Sequence, residues 1–241
     1  MKIDGKTDIG LERSSNQDGF RMGILSENSA YYAVVCDGMG GANGGNIASD
    51  MALSVISEDI INNYREDMSS SSVKLLLKTS VFNANTRIYE KSLEETSLYG
   101  MGTTVVALLI IGDTAHFAHV GDSRAYIINN KITQITKDHS VVQTLIEKGK
   151  LSQTQARVHP DKNIITRALG VDDTVVIDYN ELDITPDDTL LMCTDGLTNF
   201  VEDSVIFDLV KKMNEDVDAS VLIDKANQNG GGDNITAVLL H

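Results

Sequence analysis

Short apolar runs, several of them closed by a glycine or an aspartate, alternate along this chain with blocks in which apolar residues recur at helical spacing. The short runs are rich in β-branched and aromatic side chains and predict strands at roughly 2–9, 19–25, 31–37, 102–111, 114–120, 123–129, 131–135, 174–180, 188–194 and 234–240. Asn129-Asn130 predicts a two-residue hairpin between the sixth and seventh of these, and tight turns between consecutive strands favour antiparallel pairing. Ile47, Ala48, Met51, Ala52, Val55, Ile56 and Ile60 predict one helix; Val73, Leu76, Leu77, Val81, Ala84 and Ile88 predict a second, beyond the serines at 69–72. Val205, Ile206, Leu209, Val210 and Met213 mark a third. Val221, Leu222 and Ala226 mark a fourth, starting near Asp218 and stopping at Gly230. Helix pairs with one apolar face each need a sheet to cover, so the expected fold is α+β, layered helix, sheet, sheet, helix.

Residues 138–170 break this rhythm. Asp138-His139-Ser140 precedes a helical stretch through Gly149, a second short one begins near Ser152, and Asn163-Ile164-Ile165-Thr166-Arg167-Ala168-Leu169-Gly170 returns to the sheet. A loop-rich insertion with few large apolar residues is expected to be an element of low local stability.

Composition narrows the picture without changing it. With 241 residues, 41% of them apolar, and two prolines, the chain can bury a substantial core and shows no linker. A net charge of −15 is the wrong sign for nucleic acid or an anionic membrane. It also repels phosphorylated substrates, so a phosphate site would need local cations. No apolar run approaches the ~18 to 20 residues of a membrane span, and Met1-Lys2-Ile3-Asp4-Gly5 lacks the apolar stretch of a secretory signal, so a cytoplasmic location is expected. Cys36 and Cys193 are expected to be buried free thiols, since one potential pair is no disulfide framework.

Four of the apolar runs meet an aspartate beside a glycine. Tyr31-Tyr32-Ala33-Val34-Val35-Cys36 runs into Asp37-Gly38, Phe117-Ala118-His119-Val120 into Gly121-Asp122, and Leu190-Leu191-Met192-Cys193-Thr194 into Asp195-Gly196. Gly232-Asp233-Asn234 opens the last strand. If these strands share sheets, their ends can bring four carboxylates to one rim. Carboxylates at close range repel and raise one another's pKa, so hard cations with oxygen ligands are the simplest explanation. Other phosphate chemistries fail on spacing. The residue six after Cys36 is Ala42 and six after Cys193 is Asn199, where a cysteine phosphatase needs arginine; Gly5-Lys6-Thr7 has no upstream glycine for a nucleotide loop; and Asp216-Val217-Asp218 reads as a helix cap. His116, His119, His139 and His159 show no metal-ligand spacing and read as structural.

Arg13-Ser14-Ser15-Asn16-Gln17-Asp18, Asp37-Gly38-Met39-Gly40-Gly41, Gly102-Thr103-Thr104, Val120-Gly121-Asp122-Ser123-Arg124, Thr194-Asp195-Gly196-Leu197 and Gly232-Asp233-Asn234-Ile235-Thr236 follow one another in a meaningful order. Asp-Gly alone is an ordinary turn. The ordered set, spanning essentially the whole chain, resembles the metal-dependent serine/threonine protein phosphatases of the type 2C family, in their bacterial form. The resemblance implies a four-layer sandwich with two antiparallel sheets, one catalytic domain over 1–241, and a flap at about 138–170. It implies hydrolysis of phosphoserine and phosphothreonine on proteins by an activated water, without a covalent intermediate, at two Mn²⁺ or Mg²⁺ ions and in bacterial members a third. Asp37 would bridge the two ions, Asp195 and Asp233 would complete the first, and the Gly38 carbonyl would contact the second. Asp122, with Asp195, would hold the third ion, and Asp18 would orient water from behind the ligands. Arg13 would clamp phosphate through two parallel hydrogen bonds. Without the resemblance, Asp122 reads as a turn aspartate and Arg13 as a surface arginine. The implied partners are phosphorylated proteins, substrates of a serine/threonine kinase, met by a monomer.

The chain departs from the family pattern at three positions. Met39 stands where many animal members have histidine, Ala42 where bacterial members often have one, and Gln17 where animal enzymes have a metal-binding glutamate. The proton donor to the leaving group is therefore open. So are two other functions, a phosphatase-like binding module with weak turnover and a phosphatase of a small phosphorylated metabolite.

Overall fold

The computed structural model describes residues 1–26, 30–213 and 216–241, with the backbone but not the side chains of 41–43. Its first sheet runs in the order β1 (Ile3–Asp8), β11 (Ile235–Leu240), β10 (Thr189–Cys193), β7 (Arg124–Ile128) and β8 (Ile132–Gln134). The second runs β2 (Asp18–Ser26), β3 (Ala30–Met39), β5 (Val105–Ile111), β6 (Thr114–Val120) and β9 (Asp178–Asp183), with the short β4 (Gly102–Thr103) paired to the end of β3. Every pairing is antiparallel.

Strand periodicity builds the layers. On β3, Tyr32, Val34 and Cys36 face α1 (Gly41–Asn63) and α2 (Ser70–Glu94), while Tyr31, Ala33 and Val35 face the other sheet. On β11, Ile235, Ala237 and Leu239 face the α5 (Asp195–Thr198), α6 (Asp203–Lys212) and α7 (Ser220–Gln228) side, and Val238 and Leu240 face inward. A one-residue slip would swap these faces, so burial on both sides fixes register. The four-layer order expected from the helix pairs is what forms. Each wholly buried leucine or isoleucine contributes about 1.5–3 kcal/mol. Leu108, wholly buried between the sheets, would cost about 2–5 kcal/mol on truncation to alanine.

The Ser-rich stretch is a helix start, with the Ser69 hydroxyl accepting from the Ser72 N–H at 3.3 Å. In the 138–170 segment, Ser140 caps α3 (Val141–Glu147) and Ser152 closes a reciprocal capping box with Gln155 on α4 (Gln153–Arg157). None of the described helices is long and apolar enough to cross a membrane. Cys36 and Cys193 are free and buried, and burial pushes both thiols up, away from the reactive thiolate.

Four details depart from expectation. The predicted strand 102–111 is broken at Thr104, whose N–H donates to the Asp37 carbonyl at 2.8 Å and whose hydroxyl accepts from the Asp37 N–H at 3.0 Å. The hairpin after β7 has three residues, not two, because Asn129 folds onto its own turn, its N–H donating to the Lys131 carbonyl and its side chain accepting from Asn130. β9 begins at Asp178 rather than 174. Val175 and Ile177 pack against the α1/α2 cluster without joining the ladder, and pairing with β6 starts at His119 opposite Asp178. The four-residue α5 was not expected, being too short to show a period.

Candidate metal centre

The aspartates do converge. Asp37 lies in β3 near its end, Asp122 in the turn after β6, Asp195 at the start of α5 directly after β10, and Asp233 just before β11; all four line one cleft of about 500 Å³. Arg13 and the backbone around Gly38 share that cleft. Two glycines allow the close approaches this needs. A Cβ on Gly196 would lie 1.9 Å from the Asn234 carbonyl oxygen, so glycine lets the start of α5 press against the entry to β11 and bring Asp195 beside Asp233. A Cβ on Gly38 would lie 2.1 Å from the Gly45 carbonyl oxygen, so the first turns of α1 meet β3 backbone to backbone.

Asp18 pairs with Asp37 across the β2/β3 ladder. Its carboxylate accepts from the hydroxyls of Thr194 (2.7 Å) and Thr236 (2.9 Å). Thr236 also meets Thr7 at 2.8 Å, and its N–H donates to the Thr194 hydroxyl at 3.0 Å. Asn199 donates to Asp195 Oδ2 at 2.9 Å. Asn234 gathers the opening segment: its side chain accepts from the Gln17 N–H and donates to the carbonyls of Ile9 and Ser15. Arg13 is bidentate on Asp233, with Nε and Nη2 each 3.0 Å from one carboxylate oxygen.

The electrostatics of the ring are unfavourable as it stands. Burial, then the charges of Asp195 and Asp233, push Asp18 up to about 7 against the lowering effect of its threonine hydrogen bonds. Burial and the Asp233 charge raise Asp195 to about 6. Asp37 and Asp122 are held well above the usual carboxylate range, first by burial and then by Asp18 and Asp195 respectively. Only added positive charge makes this arrangement comfortable at neutral pH. The donors are all oxygens, the set that Mg²⁺ and Mn²⁺ take.

Sequence reasoning named the ring and the resemblance placed Asp18 behind it, but Thr7, Thr104, Thr194, Thr236, Asn199 and Asn234 were assigned no role. The legible signal was polarity at buried strand positions, with Thr194 1% and Thr236 0% exposed. Of the positions where the family has histidine, Met39 lines the cleft, and Ala42 belongs to the undescribed side chains. Among the described residues no histidine lines the cleft.

A second cluster lies across β6 and β9. His119, His139 and Asp178 offer ligand-type atoms within 4.8 Å of one another, a juxtaposition sequence spacing could not show. Arg167 Nη1 already stands 3.0 Å from Asp178 Oδ1 and 3.1 Å from His139 Nε2, supplying the positive charge a metal would bring.

A carboxylate ring at the shared rim of a two-sheet sandwich defines a hydrolase of the metal-dependent phosphatase class. The protein phosphatase 2C family model matches residues 12–226, and the chain belongs to that family. It is similar to the serine/threonine phosphatase stp of Listeria welshimeri, 38% identical over 242 residues covering all of this chain and 95% of the relative. Among solved structures it resembles the Streptococcus agalactiae serine/threonine phosphatase (TM-score 0.90, 35% identity, covering 99% of this chain and 98% of that one). It also resembles the catalytic domain of the serine/threonine protein phosphatase PstP in complex with two manganese ions (TM-score 0.84, 29% identity, 99% and 96%).

Proposed function

We propose that this chain hydrolyses phosphoserine and phosphothreonine on proteins at a dinuclear Mn²⁺ or Mg²⁺ centre, with a third ion at Asp122, and that residues 1–241 act as one catalytic domain. The observation that carries the reading is the intact ring, Asp37, Asp195 and Asp233 on one cleft, with the Asp37 and Asp195 carboxyls raised first by burial and then by neighbouring carboxylates. Ligands from both ends of the chain support the single domain, and the intact ring supports turnover over mere binding.

Two divalent ions held at the ring would lower the pKa of a bound water and neutralise charge on the phosphate. Asp37 would bridge them, Asp195 and Asp233 would hold one, and the Gly38 carbonyl would reach the other. Asp18, fixed by Thr194 and Thr236, would accept a hydrogen bond from water at the ring and set its direction. Arg13 now pairs with Asp233; with that carboxylate's charge satisfied, the same planar fork is free to take two phosphate oxygens. With no histidine on the described cleft wall, the leaving alkoxide takes its proton from a group other than histidine. Partners are phosphorylated proteins, substrates of a serine/threonine kinase in the cytoplasm, and the enzyme works as a monomer.

The test is phosphate release from a phosphothreonine peptide with Mn²⁺ against a chelator control. Release only with metal supports the reading; equal release in both arms, or none in either, removes it. A parallel assay on small phosphorylated metabolites identifies a different leaving group.

A further inference from the structure

His139 stands where three segments meet. Its N–H donates to the Gly121 carbonyl at 2.9 Å, its carbonyl accepts from the Thr166 N–H at 2.7 Å, and its ring Nδ1 accepts from the Gly121 N–H at 3.0 Å. Because Nδ1 accepts, the neutral ring carries its proton on Nε2. Nε2 lies 3.3 Å from Asp178 Oδ2, while Arg167 Nη1 donates to Oδ1 of the same carboxylate at 3.0 Å. The two donors sit 3.1 Å apart because one acceptor gathers both. The ring is buried and stacks on His119 with centroids 4.7 Å apart, and His119 Nε2 is itself fixed on the Lys137 carbonyl at 2.9 Å. Both nitrogens of His139 are thus engaged, one toward the Gly121–Asp122 turn and one toward β9 and the end of the 138–170 segment.

We infer that His139 is a two-armed positioning residue: the Nδ1 arm holds the turn that presents Asp122, and the Nε2 arm anchors the return of the 138–170 segment onto β9. The first arm rests on the reading of Asp122 as the ligand of a third ion, so the test uses readouts that need no turnover. A histidine is suited to this because its two nitrogens lie on opposite sides of a rigid ring, so neither arm can move without the other.

Two substitutions separate the arms. In His139→Asn the amide oxygen falls near the place of Nδ1 and can accept from the Gly121 N–H, but the side chain is too short for Asp178. In His139→Gln the amide nitrogen can reach Asp178, and the Gly121 N–H loses its acceptor. Mn²⁺ binding followed by calorimetry and amide hydrogen exchange over 141–166 report on the two arms. H139Q is expected to weaken the loosest Mn²⁺ by about tenfold, the low end of what an orienting partner of a metal ligand is worth, and to leave exchange over 141–166 unchanged. H139N is expected to keep wild-type Mn²⁺ binding and speed that exchange. In an Asp122→Ala background, His139→Gln should cause no further loss of Mn²⁺. Any other division overturns the assignment, including both variants moving both readouts, as loss of packing would do, or neither moving either. Should the phosphatase reading itself fail, phosphate release is absent while these two readouts still divide.

Discussion

The acidic ring and the histidine cluster both involve the sheet around β6, and both gather ionisable groups from distant sequence. They differ in compensation. Asp178 in the cluster has Arg167 on one oxygen and His139 at the other, and its carboxyl is held below its ordinary value by those partners although burial opposes it. Burial, then the neighbouring His119, pushes His139 down to about 4, so the ring stays neutral and keeps its acceptor. For Asp18, Asp37, Asp122 and Asp195 the shifts run upward, first because the carboxyls are buried and then because neighbouring carboxylates outweigh the positive charge, chiefly that of Arg124 on Asp122 and Asp195, that opposes them. A cluster that balances its own charge is architecture. One that does not is waiting for a ligand.

The largest expected effect comes from the uncompensated side. If Asp37 is the ligand that the proposed function makes it, Asp37→Asn should lower turnover by more than ~10²-fold, beyond the range for residues that merely orient ligands. Mn²⁺ affinity should fall with it, and unchanged kinetics and calorimetry would remove its bridging role. Arg13→Ala should raise KM about 10- to 100-fold with kcat little changed, since a charge-assisted pair of hydrogen bonds is worth about 1.5–3 kcal/mol to ground state and transition state alike. A kcat loss at unchanged KM would instead give Arg13 a transition-state role.

The comparison sharpens with pH. A carboxyl raised in the folded state adds stability that is fully present below its ordinary pKa and is lost as pH rises through the raised value. For Asp195 at about 6 and Asp18 at about 7, the metal-free protein should therefore melt higher at pH 5 than at pH 8. Saturating Mn²⁺ should cancel or reverse that slope, because it favours the charged carboxylates; the same slope with and without Mn²⁺ would show that the ring takes no metal. The smallest effect belongs to the balanced side. Arg167→Ala should cost about 1 kcal/mol, the upper end for a partly exposed pair, and leave the number of bound Mn²⁺ ions unchanged in calorimetry. Loss of an ion would mean that the two clusters are one.

Layering was readable because β3 and β11 alternate faces and both faces are apolar, so the run of residues itself states what each strand must cover. The aspartates were readable only as a set: one carboxylate beside a glycine is an ordinary turn, but four of them at the ends of apolar runs, in a familiar order, are not explained by turns alone. The hydrogen bonds behind the ring were not, since nothing in the order of residues says that Thr7, Thr194 and Thr236 meet around Asp18. Val175 and Ile177 misled, because apolar residues that pack from a loop at alternate positions carry the same signature as a strand that joins a ladder. His119, His139 and Asp178 are brought together by a strand register and a loop return, neither of which leaves a mark in spacing.

The position of β11 has a consequence for how the molecule assembles. It lies between β1 and β10, and among the described strands β1 pairs with β11 alone, so the first strand has no place in its sheet until residues 235–240 arrive. The ring lacks Asp233 until that happens, and contacts spanning most of the sequence must form first, the kind of long-range pairing that slows folding. During synthesis the chain can therefore collapse around its helices and inner sheet long before it can grip a metal. Tight metal binding would report that the last strand is home, and a chain cut short of it would lack both the Asp233 carboxylate and the apolar residues that β11 gives to two core clusters.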